Sequence, residues 1–180
     1  PIYVKVYRFC VIHTVMLRFT DYCRLMNEEF FTQIILGDVA TVKTVGIITA
    51  ENPGLDNKLT KIGNERKNKE LEAALEKMGH HPIQMKGKFA GKSENPFLVV
   101  NISREKLVEL GKKFKQQAVI FGEKKNKIGG KIAPLFDFSY IQNGRTVRKG
   151  VLGLEHPQNL IDRDCYFTLS GKKFNIHFNR

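Results

Sequence analysis

The sequence predicts an α+β fold, a mixed, largely antiparallel sheet packed by two or three helices, and three observations carry that expectation. Two hairpin signals, Asn143-Gly144 and Ser170-Gly171-Lys172-Lys173, each lie between short runs rich in β-branched and aromatic residues. Two segments, Leu59–Met78 and Ser103–Phe114, repeat apolar residues at helical spacing. Helices are interspersed with hairpins and do not alternate strictly with strands, which counts against a doubly wound parallel sheet. A length of 180 residues suits one domain, residues 1–180, whose core needs neither disulfides nor metal. Thirteen Phe and no Trp make that core aliphatic and Phe-rich.

Taken in chain order, Ile2 to Phe19 reads as one or two strands with basic interruptions at Lys5, Arg8 and Arg18. Met16 offers an internal start, so residues 1–15 are read as an optional N-terminal extension. Asp21 caps a helix running to about Leu36, with Leu25, Phe30 and Ile34 inward and Gly37 as its stop. Lys43 to Thr49 is a buried strand that ends in the turn Thr49-Ala50-Glu51-Asn52-Pro53-Gly54. The helix Leu59–Met78 follows, with Leu71, Ala74, Leu75 and Met78 on one side and Gly79 in the stop position. His81–Phe89 and Pro96–Asn101 read as strands joined by a basic turn over Gly87–Ser93. Ser103 caps the next helix, with Leu107, Leu110 and Phe114 at core spacing. Ala118–Phe121 is a short strand and Glu123–Gly130 a Lys- and Gly-rich loop. Ile132–Ile141 and Thr146–Leu152 then flank the first hairpin signal, and Tyr166–Leu169 and Phe174–Phe178 the second.

The formal net charge of +12, from thirty Lys and Arg against eighteen Asp and Glu, implies attraction to a polyanion or an acidic partner protein. Cys10, Cys23 and Cys165 have no C-x-x-C spacing, which argues against a disulfide framework and a thiolate zinc site and fits a reducing compartment. The apolar run Phe9–Leu17 is too short to span a bilayer, contains His13 and lacks a small-residue cleavage site. The expectation is a cytoplasmic protein with no membrane partner.

A polar site is expected at the turn after the central strand. Asn64, Asn68, Leu71, Leu75 and Met78 step by three or four residues, so two amides continue an apolar helical stripe inward. Buried amides without partners cost about 1–3 kcal/mol each, so they either pin the Thr49–Gly54 turn or line a polar pocket. The short return loop places the positive end of the helix beside Thr49, Glu51 and Asn52, where anions are favoured, and Arg66 and Lys67 add charge for phosphate. Glu51 opposes a phosphate unless it holds a cation or a sugar hydroxyl.

Four segments in order form a pattern: Thr49-Ala50-x-Asn52-Pro53, Asn64-x-Arg66-x-Asn68-x-x-Leu71, Glu94-x-x-Phe97-Leu98-Val99, and Leu110-Gly111-x-x-Phe114-x-Gln116-x-Ala118. Over roughly residues 45–121 the pattern resembles a small bacterial and phage domain family of unknown function. Pro96 stands where that family has Ser, removing a hydroxyl, and Lys115 stands where it has Gly. The resemblance implies that Thr49, Asn52, Asn64, Asn68, Glu94 and Gln116 converge. Relatives in T4-like phages imply a host-takeover or nucleic-acid-metabolism role in the host cytoplasm.

Other signals are thinner. Gly87-Lys88-Phe89-Ala90-Gly91-Lys92-Ser93 imitates a phosphate loop, but its glycines are too close and no helix follows. His80-His81 and Glu155-His156 lack ligand or triad spacing, so no metal and no cofactor are expected. Basic residues crowd Lys112, Lys113 and Lys115, then Lys124 and Lys125, then Arg145, Arg148 and Lys149, forming a nucleic-acid-tracking surface if they gather, with Tyr140 or Tyr166 to stack on bases. Three function classes follow. The first is a phage-type protein binding nucleic acid, a nucleotide or an acidic host protein. The second is an enzyme acting on a nucleotide or nucleic-acid phosphate, with Glu51 or Glu94 as base or cation ligand. The third is a component of a larger assembly.

Overall fold

The computed structural model describes residues 41–54, 59–89, 92–124, 136–154, 165–169 and 172–178. The readings at Ile2–Phe19 and Asp21–Leu36, the extension 1–15, Lys125 and Glu155-His156 lie outside the described residues. The elements are β1 (Thr44–Ile48), α1 (Lys61–Lys77), β2 (Ile83–Gln84), β3 (Lys86–Phe89), β4 (Lys92–Glu94), β5 (Phe97–Val100), α2 (Arg104–Lys113), β6 (Ala118–Lys124), β7 (Phe136–Gln142), β8 (Arg145–Leu154), β9 (Cys165–Leu169) and β10 (Lys172–Phe178). The fold is the expected α+β arrangement, and the described strands pair antiparallel throughout.

Sheet order is β2-β5-β1-β6-β7-β8-β10-β9-β3-β4. β2 and β3 stand near opposite ends of that order, yet only Met85 separates them in the chain, and only Asn95-Pro96 separates β4 from β5. The Met85 N–H donates to the Pro96 carbonyl at 2.8 Å, so hairpin pairing continues through the break. Each arm of this hairpin is therefore one bent strand. The base pairs as β2 with β5 and the tip as β3 with β4, while β3 also reaches β9. Among the described residues the sheet thus returns on itself as a barrel of eight strands when each bent arm counts once, a number at which side chains alone fill the interior. Closure also leaves few unpaired edges for aggregation.

Alternation along the strands divides the core in two. Val45 and Ile47 of β1, Leu98 of β5, Ile120 of β6, Phe136 and Phe138 of β7, Ile176 of β10 and Met85 at the seam form one buried cluster, the barrel interior. The next residues along, Ile48, Phe97, Val99, Val119 and Phe121, face outward and bury against Leu71 and Leu75 of α1 and Leu107, Leu110 and Phe114 of α2. β1, β5 and β6 read as unbroken apolar runs because both of their faces are covered.

Helix α2 lies close to this outer face. A Cβ at Gly46 would stand 2.7 Å from Ile102 Cγ2 and 2.9 Å from Leu107 Cδ1, and one at Gly111 would stand 2.8 Å from Val119 Cγ1. Ser103 caps α2 as expected, accepting from the Lys106 N–H at 3.3 Å. Asn143 (φ 50°) and Gly144 (φ 78°) make the β7–β8 turn with the positive φ values of a type I′ hairpin.

Three expectations are corrected. His81–Phe89 is not one uninterrupted ladder, because the arm changes partners at Met85, from β5 on the β2 side to β4 and β9 on the β3 side. Gly87–Ser93 is not a turn, since Gly87 pairs with Glu94 and Lys88 with Ser93 inside a strand ladder. Glu123 and Lys124 extend β6 and do not begin a loop, because they pair with Asp137 and Phe136. Among the described residues, no helix is long and apolar enough to cross a membrane.

Candidate functional site

The turn after β1 is built by backbone conformations that few residues accept. Asn52 adopts φ 47° and Gly54 φ 73°, and the Gly54 N–H donates to the Lys115 carbonyl at 3.0 Å, tying the turn to the end of α2. Across from it, Thr60 caps α1 by accepting from the Gly63 N–H at 3.1 Å. Asn64 and Asn68 follow one turn apart on the face toward the bend.

These amides close a lattice. Asn64 and Asn52 exchange two hydrogen bonds, the Asn52 N–H reaching Asn64 Oδ1 at 2.9 Å and Asn64 Nδ2 reaching Asn52 Oδ1 at 3.1 Å. Asn68, buried, accepts from the Ala50 N–H at 2.8 Å and from the Thr49 hydroxyl at 3.4 Å. Its amide nitrogen donates to Glu51 Oε1 and to the Asn95 carbonyl, both at 2.9 Å. Asn95 Nδ2 donates to the same Glu51 Oε1 at 2.8 Å, and the Thr49 hydroxyl accepts from the Glu51 N–H at 3.1 Å. Gln116 Nε2 donates to the Glu51 carbonyl at 3.2 Å and to the Phe114 carbonyl at 3.3 Å.

Glu51 is the centre of the lattice and is 5 % exposed. One carboxylate oxygen takes both amide donors, and among the described residues the second takes none. Glu94 stands nearby. Burial pushes its carboxyl up to about 7 and the Glu51 charge adds to the rise, against a hydrogen bond from Asn52 and the charge of Lys92. Beside Glu51 opens a cleft of about 340 Å³ between α1 and the β2–β5 base, lined by Glu51, Glu65, Asn68, Lys69, Glu72, Gln84, Asn95 and Phe97.

The residues marked in the sequence are therefore placed as follows. Thr49, Glu51, Asn52, Asn64, Asn68, Glu94 and Gln116 come together at the turn. Arg66 does not join them, since its side chain is 75 % exposed and lies 3.9 Å from Glu70 on the outer face of α1. Glu51 accepts from the side-chain amides of Asn68 and Asn95, which puts one of the protein's own carboxylates among the donors at the turn. Asn95 escaped notice, although an Asn directly before a Pro at a strand start signals a backbone break with a free amide. Glu65, Asn68 and Glu72 step by three and four along one side of α1 and Lys69 stands beside them, so the edge at the cleft reads as mixed charge.

Lys115 adopts φ 54°, a conformation suited to the Gly of the resembling pattern and held here although it costs about 1 kcal/mol. Lys112 and Lys113 are exposed in the last turn of α2, Lys115 just beyond it, and Arg145, Arg148 and Lys149 are exposed on β8. Arg104 Nη2 donates to Thr146 Oγ1 at 2.8 Å, which ties the start of β8 to the start of α2. Lys124 ends β6, where its N–H donates to the Lys43 carbonyl at 2.8 Å. Tyr140 is half-buried and packs against the barrel interior.

Among known proteins, residues 48–119 match the model of a family described as "Protein of unknown function (DUF3293)". The chain has no match among curated proteins. The matched segment runs from the last residue of β1 into β6 and holds every residue of the lattice, from Thr49 to Gln116. The match thus spans the whole candidate site.

Proposed function

We propose that this protein binds a small polar molecule in the cleft beside Glu51. One observation carries the reading: a buried carboxylate is fixed through one oxygen by Asn68 and Asn95 while its residue lines an open cleft. Fixing a charged group with amides instead of a salt bridge leaves it available to a ligand. Titration of isotope-labelled protein with a panel of small polar metabolites tests it. The expected result is saturable shifts of the Ala50, Glu51, Asn68 and Asn95 amide signals. Shifts confined to other surfaces, or none with any probe, would defeat the reading.

A catalytic version of the same site uses Glu94, whose carboxyl at about 7 exchanges protons near neutral pH. Glu94 does not line the cleft, so binding is the primary reading. A second reading rests on the exterior. Exposed Lys112, Lys113, Arg145, Arg148 and Lys149, on elements joined by the Arg104–Thr146 bond, support attraction to nucleic acid or an acidic host protein. A phage-type setting in a host cytoplasm rests on the sequence resemblance alone.

A further inference from the structure

The cleft beside Glu51 has a charge of its own, opposite in sign to that of the whole chain. Glu51, Glu65 and Glu72 line it against one ammonium, Lys69, in a protein whose formal charge is +12. We infer that the cleft takes an organic cation bearing N–H donors, a protonated amine or a guanidinium on a short carbon chain, seated on the second carboxylate oxygen of Glu51.

Both amides of the lattice converge on Glu51 Oε1, and the two hydrogens of Asn68 Nδ2 are already committed, to Glu51 and to the Asn95 carbonyl. An ionised carboxylate offers about four acceptor positions, and the two amide donors use two of them, so Glu51 keeps capacity for a further donor at the cleft it lines. A charge that is 5 % exposed is poorly hydrated, and a donor carrying positive charge relieves it best. An anion would meet three carboxylates. A divalent cation needs several oxygens at bonding distance, and among the described residues no three His, Cys, Asp or Glu stand close enough to supply them. Gln84 offers a further polar contact in the lining. A volume of about 340 Å³ lies at the lower end of the range of small-molecule sites.

The inference rests on the cleft being the binding site, and the experiment separates the two. Calorimetry and amide-shift titration use putrescine and propylguanidinium as free cations, a capped lysine dipeptide as the side-chain source, and butyrate and butanol as anionic and neutral controls. Putrescine or propylguanidinium should shift Glu51, Asn68 and Asn95, and Glu51→Gln should weaken the binding about tenfold or more. Should Glu51→Gln unfold, Glu65→Gln and Glu72→Gln leave the lattice intact and are expected to weaken binding about two- to fivefold each. Tighter binding of the capped dipeptide than of either free cation identifies a protein-borne side chain as the source of the charge. If butyrate or butanol shifts the cleft and the cations do not, the cation assignment is wrong while the cleft remains a binding site. If no probe shifts the cleft, both fall.

Discussion

Helices α1 and α2 cover the same outer face of β1, β5 and β6, begin with hydroxyl caps and carry similar apolar spacing, yet they meet the sheet differently. Glycine lets α2 come close: its Gly111 rests on Val119, and Leu107 covers Gly46. The stripe of α1 begins in amides, Asn64 and Asn68, and only then becomes Leu71 and Leu75. One helix seals the core by contact. The other ends its seal early, and the polar remainder takes hold of the turn that carries Glu51. The difference teaches that an interruption of an apolar stripe, more than the stripe itself, marks where a fold makes room for chemistry.

The most forceful way to break the comparison is to make α1 resemble α2. Asn68→Leu completes the apolar stripe, and hydrophobic patterning alone predicts a more stable protein. Hydrogen bonding predicts the reverse, because the Ala50 N–H and the Asn95 carbonyl lose their partner and Glu51 loses one of two donors. Stranding these groups should cost about 3–5 kcal/mol. Urea unfolding followed by circular dichroism checks it. A midpoint equal to or above the wild type would show that Asn68 is simply a tolerated core residue.

Much of this contrast was legible in the sequence, because it depends on local spacing. The steps from Asn64 through Asn68 to Leu71 and Leu75 give the facing of α1 directly, Ser103 marks the start of α2, and Asn143-Gly144 fixes the β7–β8 turn through its positive φ values. Closure of the barrel was not legible. It depends on a two-residue ladder at β2 and a bend at Met85, neither of which changes the alternation of side chains. Asn95 was hidden for the same reason, since only the return of the bent hairpin carries its amide to Glu51. That Glu51 itself takes up donors at the turn was hidden as well, because one of them, the Asn95 amide, comes from a segment far along the chain.

A smaller effect sharpens the comparison through pH. Glu94 titrates at about 7 in the folded protein against its usual 4.5, so between these values the folded state binds more protons than the unfolded chain. Stability should therefore fall as pH rises from about 4.5 to 7 and level off above, by about 2 kcal/mol after discounting for the carboxyl's remaining contact with water. Glu94→Gln, which keeps the shape and removes the charge, should flatten that slope and raise stability at pH 8. Urea midpoints at pH 5 and pH 8 for both proteins decide it. A wild-type midpoint that rises over this interval would mean that Glu94 is ionised and well paired in the fold.

The smallest effect concerns the outer face of α1, where Arg66 sits at the first turns of the helix but points away from the lattice. Its guanidinium lies 3.9 Å from Glu70, four residues on, and Lys67 approaches the same carboxylate at 2.6 Å. The Glu70 carboxyl is held below its ordinary value by the Lys67 hydrogen bond first, with the Arg66 charge a lesser cause. Removing Arg66 therefore leaves the better partner in place, and an exposed pair of this kind contributes no more than the scatter of an unfolding midpoint. Arg66→Ala should leave the urea midpoint within that margin and the binding of any cleft ligand unchanged. A loss of binding without loss of stability would bring Arg66 back into the site, and would mean that α1 reaches its ligand from both faces.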